Sequence, residues 1–381
     1  MAPKRMEVSS IDIPDDISFS ILSKLSVKSI HRFSCVCKSW NHLFQNPNFI
    51  KMFGKNLISE SHSLSDENDV YLILHQSVLP PGYRLNWYLL LYGDRFENKL
   101  KLNIPSPFNI VWMNDVARIR ILGYVVNGMV CVYNFYGCSD DINGVLCNLA
   151  TEETKVIPRS FAEMSNSKKV TTILHGFGYD HVRDDYKVIS YVDYIVDYYD
   201  DAFHPLWEIY SLKSNSWRTL GFNMPTRYSR TEADVYMNGV CHWLGETFYE
   251  TCVVSFNLSN EVFIITPLPP DCFDVSLGVL NGSFAMISND KKTESFQISI
   301  LGEFGVEESW VRIFDIGPLS CIEHPIGVGK DKVFFRKKDD ELVCFNLTTG
   351  MIEEIGVKGK KCWCQMIIYK KNLHPIERMN N

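Results

Sequence analysis

One short phrase returns along the last two-thirds of this chain, and it restricts the fold more than any other feature. Val145-Leu146-Cys147-Asn148-Leu149-Ala150-Thr151, Ile209-Tyr210-Ser211-Leu212-Lys213-Ser214, Val254-Ser255-Phe256-Asn257-Leu258-Ser259-Asn260 and Val343-Cys344-Phe345-Asn346-Leu347-Thr348-Thr349 each run from apolar residues into a polar end. A second apolar run follows, as in Trp217 to Leu220 or Met351 to Ile355. This is strand, tight turn and returning strand. With a weaker member at Leu301, the leucines at 149, 212, 258, 301 and 347 are separated by 63, 46, 43 and 46 residues. Such a period is that of the four-stranded blades of a propeller. Asn127-Gly128, Asn238-Gly239 and Asn281-Gly282 each precede an apolar run, and Asn-Gly supplies the positive φ of a hairpin entering a strand. Counting an irregular first unit around Val70 to Ile104, the spacing predicts an all-β, kelch-like propeller of about six blades. Radial repetition buries both faces of every blade, which favours it over a two-sheet sandwich.

The residues before this region have helical periodicity, so the fold class is α+β multidomain. Pro14 presets the turn into a first helix, and Asp15 or Asp16 caps it and opposes its dipole. At 3.6 residues per turn, Ile17, Ile21, Leu22 and Leu25 share one face and Phe19 falls outside it. That helix is expected to end near Leu25. Ser26 is a second N-cap, and the segment after it sets Ile30, Phe33, Val36, Cys37 and Trp40 on one side. A further short helix covers Asn48 to Phe53. About 40 residues rarely make a core alone, so these helices either dock on the rest of the chain or form one half of an interface. The polar stretch 59–69 reads as a linker.

Composition excludes several classes of function. At 381 residues, 46% hydrophobic and 22% charged, the chain is globular, and a net charge of −7 argues against a nucleic-acid or anionic-membrane surface. Arg336-Lys337-Lys338 reads as a solvated turn. The sequence shows no signal peptide and no run of about 18 apolar residues, so the expectation is a soluble intracellular protein, cytoplasmic and/or nuclear. Twelve cysteines, with Cys35/Cys37 and Cys362/Cys364 as the only close pairs, lack zinc-ribbon spacing and read as reduced, mostly buried thiols. In that compartment the Asn-x-Ser/Thr matches at Asn257, Asn281 and Asn346 are unglycosylated hairpin sequences.

Catalytic motifs are likewise absent from the sequence. Gly327-Val328-Gly329-Lys330 has His324 where a phosphate loop needs glycine, and neither Gly-x-Ser-x-Gly nor His-Glu-x-x-His occurs. Asp180, Asp184 and Asp185 do not have calcium-loop spacing and are read as turn residues. Cys241 and His242 point to opposite faces of a strand, a core thiol beside a surface imidazole. No catalytic residue, metal ligand set or cofactor is expected.

The order Ile13-Pro14-Asp15-Asp16-Ile17, Ile21-Leu22-Ser23-Lys24-Leu25-Ser26-Val27-Lys28-Ser29-Ile30, Arg32-Phe33, Cys35-Val36-Cys37-Lys38-Ser39-Trp40 and Asn48-Phe49-Ile50 closely resembles the F-box of plant F-box proteins. Many members have Leu-Pro where this chain has Leu25-Ser26. Gly176-Phe177-Gly178-Tyr179-Asp180, Asp184 to Ile189, Trp207 to Leu212 and Asn238 to Trp243 resemble the F-box-associated interaction domain of the same family, and the whole pattern is similar to S-locus F-box proteins and their kelch-type relatives. The implied layout is a tail at 1–10, F-box at 11–56, linker at 57–69, propeller at 70–371 and tail at 372–381. The resemblance implies a Skp-type adaptor bound by Ile13, Pro14, Ile17, Phe19, Ile21, Leu22, Leu25, Val27, Ile30, Phe33, Val36 and Trp40. Through the adaptor it implies a cullin-based ubiquitin ligase, with the propeller selecting a protein target. A second class is a sensor of a small molecule or carbohydrate, with Trp207, Trp243 and Trp310 as its platform. The acidic, tyrosine-rich run Asp193, Tyr194, Asp197, Tyr198, Tyr199 and Asp200 lies where the repeat swells, and is the expected target-binding insertion between strands.

Overall fold

The computed structural model describes residues 15–36, 38–59, 71–78, 85–93, 95–102, 104, 119–134, 144–160, 170–194, 206–221, 226, 228–247, 250–290, 292–359, 363–370 and 376. Among the described residues four α-helices, α1 (Asp15–Leu22), α2 (Val27–Ser34), α3 (Lys38–Phe44) and α4 (Pro47–Ser59), precede six four-stranded antiparallel sheets. Blade one holds β1 (Tyr71–Val78), β2 (Leu85–Tyr92) and β3 (Asn98–Leu102). Blade two runs β4 (Ile119–Val126), β5 (Met129–Asn134), β6 (Gly144–Asn148), β7 (Glu153–Val156), and blade three β8 (Val170–Asp180), β9 (Asp185–Tyr194), β10 (Leu206–Ser211), β11 (Ser216–Thr219). Blade four is β12 (Tyr228–Met237), β13 (Val240–Glu246), β14 (Thr251–Asn257), β15 (Phe263–Pro267), and blade five β16 (Phe273–Leu280), β17 (Ser283–Asp290), β18 (Ser295–Leu301), β19 (Trp310–Ile316). Blade six is β20 (Ile322–Val328), β21 (Lys332–Lys337), β22 (Glu341–Asn346) and β23 (Met351–Lys358). The last strand, β24 (Trp363–Tyr369), pairs with β1 and completes blade one. The strands β4, β8, β12, β16, β20 and β24 meet in a closed ring, so the two ends of the propeller segment lock it shut.

The recurring phrase is the hinge between the third and fourth strands of blades two, three, four and six. Its polar end completes the turn, through an asparagine in blades two, four and six and through Ser211, whose Oγ accepts from the N–H of Ser214, in blade three. Oδ1 of Asn148 accepts from the N–H groups of Ala150 and Thr151, Asn257 from those of Ser259 and Asn260, and Asn346 from those of Thr348 and Thr349. Each side chain thus completes its own turn. The Asn-Gly pairs link first to second strands in blades two, four and five, with positive φ at both residues, as a type I′ turn needs.

Six hydrophobic clusters fill the six seams between blades, and together they explain where sequence reading of single strands fails. His242, expected at the surface, is fully buried; its Nδ1 lies 2.8 Å from Ser255 Oγ and its ring packs on Phe284 and Phe304. Cys241 and His242 do face opposite ways, but in a propeller both ways lead into a seam. Arg336 is likewise a buried strand residue, its Nε donating to Glu323 at 2.8 Å, while Lys337 pairs with Glu341 at 2.8 Å; only the end of the basic triplet enters the turn. Gly327 is no phosphate loop: it lies on β20, where a β-carbon would collide with the carbonyl oxygen of Met366 on β24. The C-terminal tail contributes Ile376, buried in the seam of blades two and three.

Candidate functional site

The N-terminal helices form one compact arm. Ser26, with φ −65° and ψ 152°, caps α2 by accepting from the N–H of Ser29 at 3.3 Å. Its φ already suits proline. Ser26→Pro should therefore leave thermal stability within about 1 kcal/mol, the stiffer chain offsetting the lost side-chain cap; a larger fall on melting would place the helix boundary elsewhere. The segment expected as one helix from Ser26 to Trp40 is two, because α2 stops at Ser34 and the chain turns through Cys35 and Val36 before α3. The last helix reaches Ser59, beyond both the expected Phe53 and the expected domain boundary at 56.

This split sorts the proposed adaptor residues into two faces. Ile17, Ile21 and Val36 stand 47%, 60% and 68% exposed, whereas Phe19 and Ile30 are buried and Leu22, Leu25, Phe33 and Trp40 are half-buried. Phe19, which has no place on the predicted stripe, meets Phe49 edge-on at 5.6 Å. From there an aromatic chain runs through Phe44 to Trp40 and Phe33. Phe19 and Ile30 thus belong to the arm's own packing and not to its open face. Ile13, Pro14 and the side chain of Val27 lie outside the described residues.

The arm docks on blade five. Phe19, Ile30, Phe44, Phe49 and Phe53 share one cluster with Phe296, Ile298, Ile313 and Ile316 of that blade, continuous with the seam to blade six. Helix α4 lies on β19, the blade's outer strand, and α2 meets β18. Nothing in the spacing of the chain identifies this partner, although a glycine inside the apolar run Phe49 to Gly54 is a signal of close approach.

The proposed target segment falls at the end of β9 and after it. The side chains of Asp193 and Tyr194, and all of Asp197, Tyr198, Tyr199 and Asp200, lie outside the described residues. Trp207 and Trp243 are no open sugar platform: they are buried in the seam of blades three and four, stacked 5.8 Å apart, with His175 against both. Trp310 donates its indole N–H to the carbonyl of Pro267 at 3.0 Å, and Trp217 does the same to Pro158 at 2.6 Å, each tying a fourth strand to the preceding blade.

The aspartates of the Gly176–Ile189 signature serve structure. Asp180, fully buried, accepts from Lys187 Nζ at 2.6 Å, Ser259 Oγ at 2.5 Å and Arg183 at 3.0 Å, clasping blade three to the turn of blade four. Burial alone would raise its pKa, but these hydrogen bonds outweigh it and hold the carboxyl well below the usual range. Asp185 accepts from Ser211 Oγ and from the N–H of Lys213. Among the described residues no group of three or more His, Cys, Asp or Glu is placed to hold a metal ion, and no helix is long and apolar enough to cross a membrane.

Comparison with known families agrees with this division of the chain. The description "F-box domain" matches residues 11–52, and "F-box associated beta propeller domain" matches residues 112–375. The chain belongs to the F-box-associated β-propeller family. The Arabidopsis thaliana F-box/kelch-repeat protein At3g23880 is 24% identical over 359 residues, covering 89% of each chain. F-box protein CPR1 of the same plant is 23% identical over 379 residues, covering 91% of this chain and 84% of its own. These matches carry the F-box family and not the finer likeness to S-locus proteins.

Proposed function

We propose that this F-box protein is a substrate receptor of an SCF-type ubiquitin ligase. Its open helical face binds a Skp-type adaptor, and through it a cullin; its propeller binds a protein target. The chain itself contributes no catalytic residue: it raises the effective concentration of the target beside a ubiquitin-loaded enzyme. The observation that supports this is the division of the F-box arm. Its aromatic side is spent on blade five, while Ile17, Ile21 and Val36 remain exposed on an arm small enough that such apolar surface marks an interface.

Binding of recombinant adaptor to the full-length chain is the test. Ile21→Asp should weaken it by more than about 100-fold, because a carboxylate carried into a desolvated apolar contact costs several kcal/mol. Ile21 is exposed in the free chain, so thermal stability should move by no more than about 0.5 kcal/mol. Undiminished binding by both Ile21→Asp and Val36→Asp would sink the assignment of this face.

A further inference from the structure

A ligase receptor must hold its target at a defined place relative to the adaptor, so the joint between arm and propeller matters as much as either end. Two further contacts flank the apolar cluster that joins the arm to the sequence-distant blade five. Gly54 of α4 lies against Phe314 and Ile313 of β19: a β-carbon at Gly54 would stand 3.0 Å from Phe314 Cζ and 3.4 Å from the carbonyl oxygen of Ile313. A β-carbon there is already tighter than ordinary contact, and a longer side chain would have to push Phe314 aside, so glycine lets the helix settle close to the strand. At the other end of the blade, Lys28 of α2 pairs with Glu303 at 3.3 Å, in the connection between β18 and β19. That pair is exposed and contributes little energy, but it adds a second point of contact to the first. Two separated contacts fix a direction where one would leave a pivot. Ile17, Ile21 and Val36 are left open by both.

We infer that the orientation of the F-box arm is set by this dock, with Gly54 and Phe314 as positioning residues and Lys28 and Glu303 as a strut, and not by the polar segment 60–70 that joins the two parts in sequence. Adaptor binding and docking then use different faces and coexist. The consequence for ubiquitin transfer rests on the ligase reading above; the geometry itself does not.

The experiment measures the distance between spin labels placed by unnatural amino acids at Asn41 and Asn98 of the full-length chain, both exposed. In parallel, a reconstituted ligase reports which propeller lysines receive ubiquitin. Wild type should give one narrow distance. A Gly/Ser insertion in the segment 60–70 should change neither the distance nor the lysine pattern. Gly54→Leu should broaden or displace the distance and alter the lysine pattern while adaptor affinity and propeller melting stay at wild-type values, and adding Phe314→Ala should restore the narrow distance by making room for the new side chain. If Gly54→Leu does not fold, Gly54→Ala, whose single β-carbon stands 3.0 Å from Phe314 Cζ, gives the same reading at smaller amplitude. The inference is overturned if the insertion moves the distance, or if the dock variants leave it unchanged. A narrow wild-type distance without adaptor binding would instead overturn the ligase reading alone.

Discussion

Replacing Asp180 with alanine should destabilise the propeller by about 3–5 kcal/mol, the cost of leaving a buried charge without its partner. Lys187 is the charge left behind. Its ammonium is buried between blades three and four, where it donates to Asp180 at 2.6 Å and to the carbonyl of Leu258 at 2.9 Å, with Glu261 further off at 3.9 Å. Without the carboxylate, Ser259 also loses its acceptor, so both sides of the seam are affected at once. Urea unfolding followed by tryptophan fluorescence measures the loss. Asp180→Ala with Lys187→Met should recover much of it, because an apolar pair of similar volume needs no hydrogen bonds. The acid limb of the stability curve carries the same signature. Since the folded carboxyl is held below its unfolded value, the unfolded chain binds the extra proton first. The contribution is therefore complete above pH of about 4 and drains away as pH falls toward the folded value. A single variant within about 1 kcal/mol of wild type would show that this clasp is not a seam-holding element.

What could be read from the sequence divides along one line: features that fold on themselves were legible, and features completed by a distant partner were not. Asn148, Asn257 and Asn346 bond to N–H groups two and three residues on, so their turns are written locally and the blade period follows from them. The N-cap at Ser26 is equally local. By contrast, Asp180 looks like a turn residue, and it is one, accepting from the N–H of Val182; yet its larger role needs Ser259, 79 residues away. Phe19 lies off any stripe of its own helix because its neighbour is Phe49 of another. The dock on blade five joins Gly54 to Phe314. No periodicity within either element encodes that contact.

Three buried histidines should each pull stability down between about pH 6.5 and pH 4, while Asp234, whose carboxyl burial pushes well up, works in the opposite direction. Burial holds His75 neutral down to about pH 4, with the Asn86 hydrogen bond working against that trend and Arg120 reinforcing it; burial alone holds His175 and His242 down to about pH 3. All three sit in seams: His75 stacks on Tyr88 at 4.7 Å, His175 against Trp207 and Trp243, and His242 between Phe284 and Phe304. Unfolding releases each ring into water, where it takes a proton below about pH 6.5, so the unfolded chain binds more protons and stability falls with falling pH. At pH 5 each histidine should remove about 2 kcal/mol, and the three together about 6 kcal/mol, comparable with the whole stability of a typical domain. His175 isolates the effect, because its Nδ1 finds no hydrogen-bond partner among the described residues and its ring contacts are aromatic. His175→Phe should keep the melting temperature at about pH 7.5 and flatten the fall toward pH 5 by roughly one-third, since phenylalanine keeps the stack and has nothing to protonate. Melting curves across that range decide it: a His175→Phe variant whose slope matches that of wild type would mean that this ring reaches water before the blades separate.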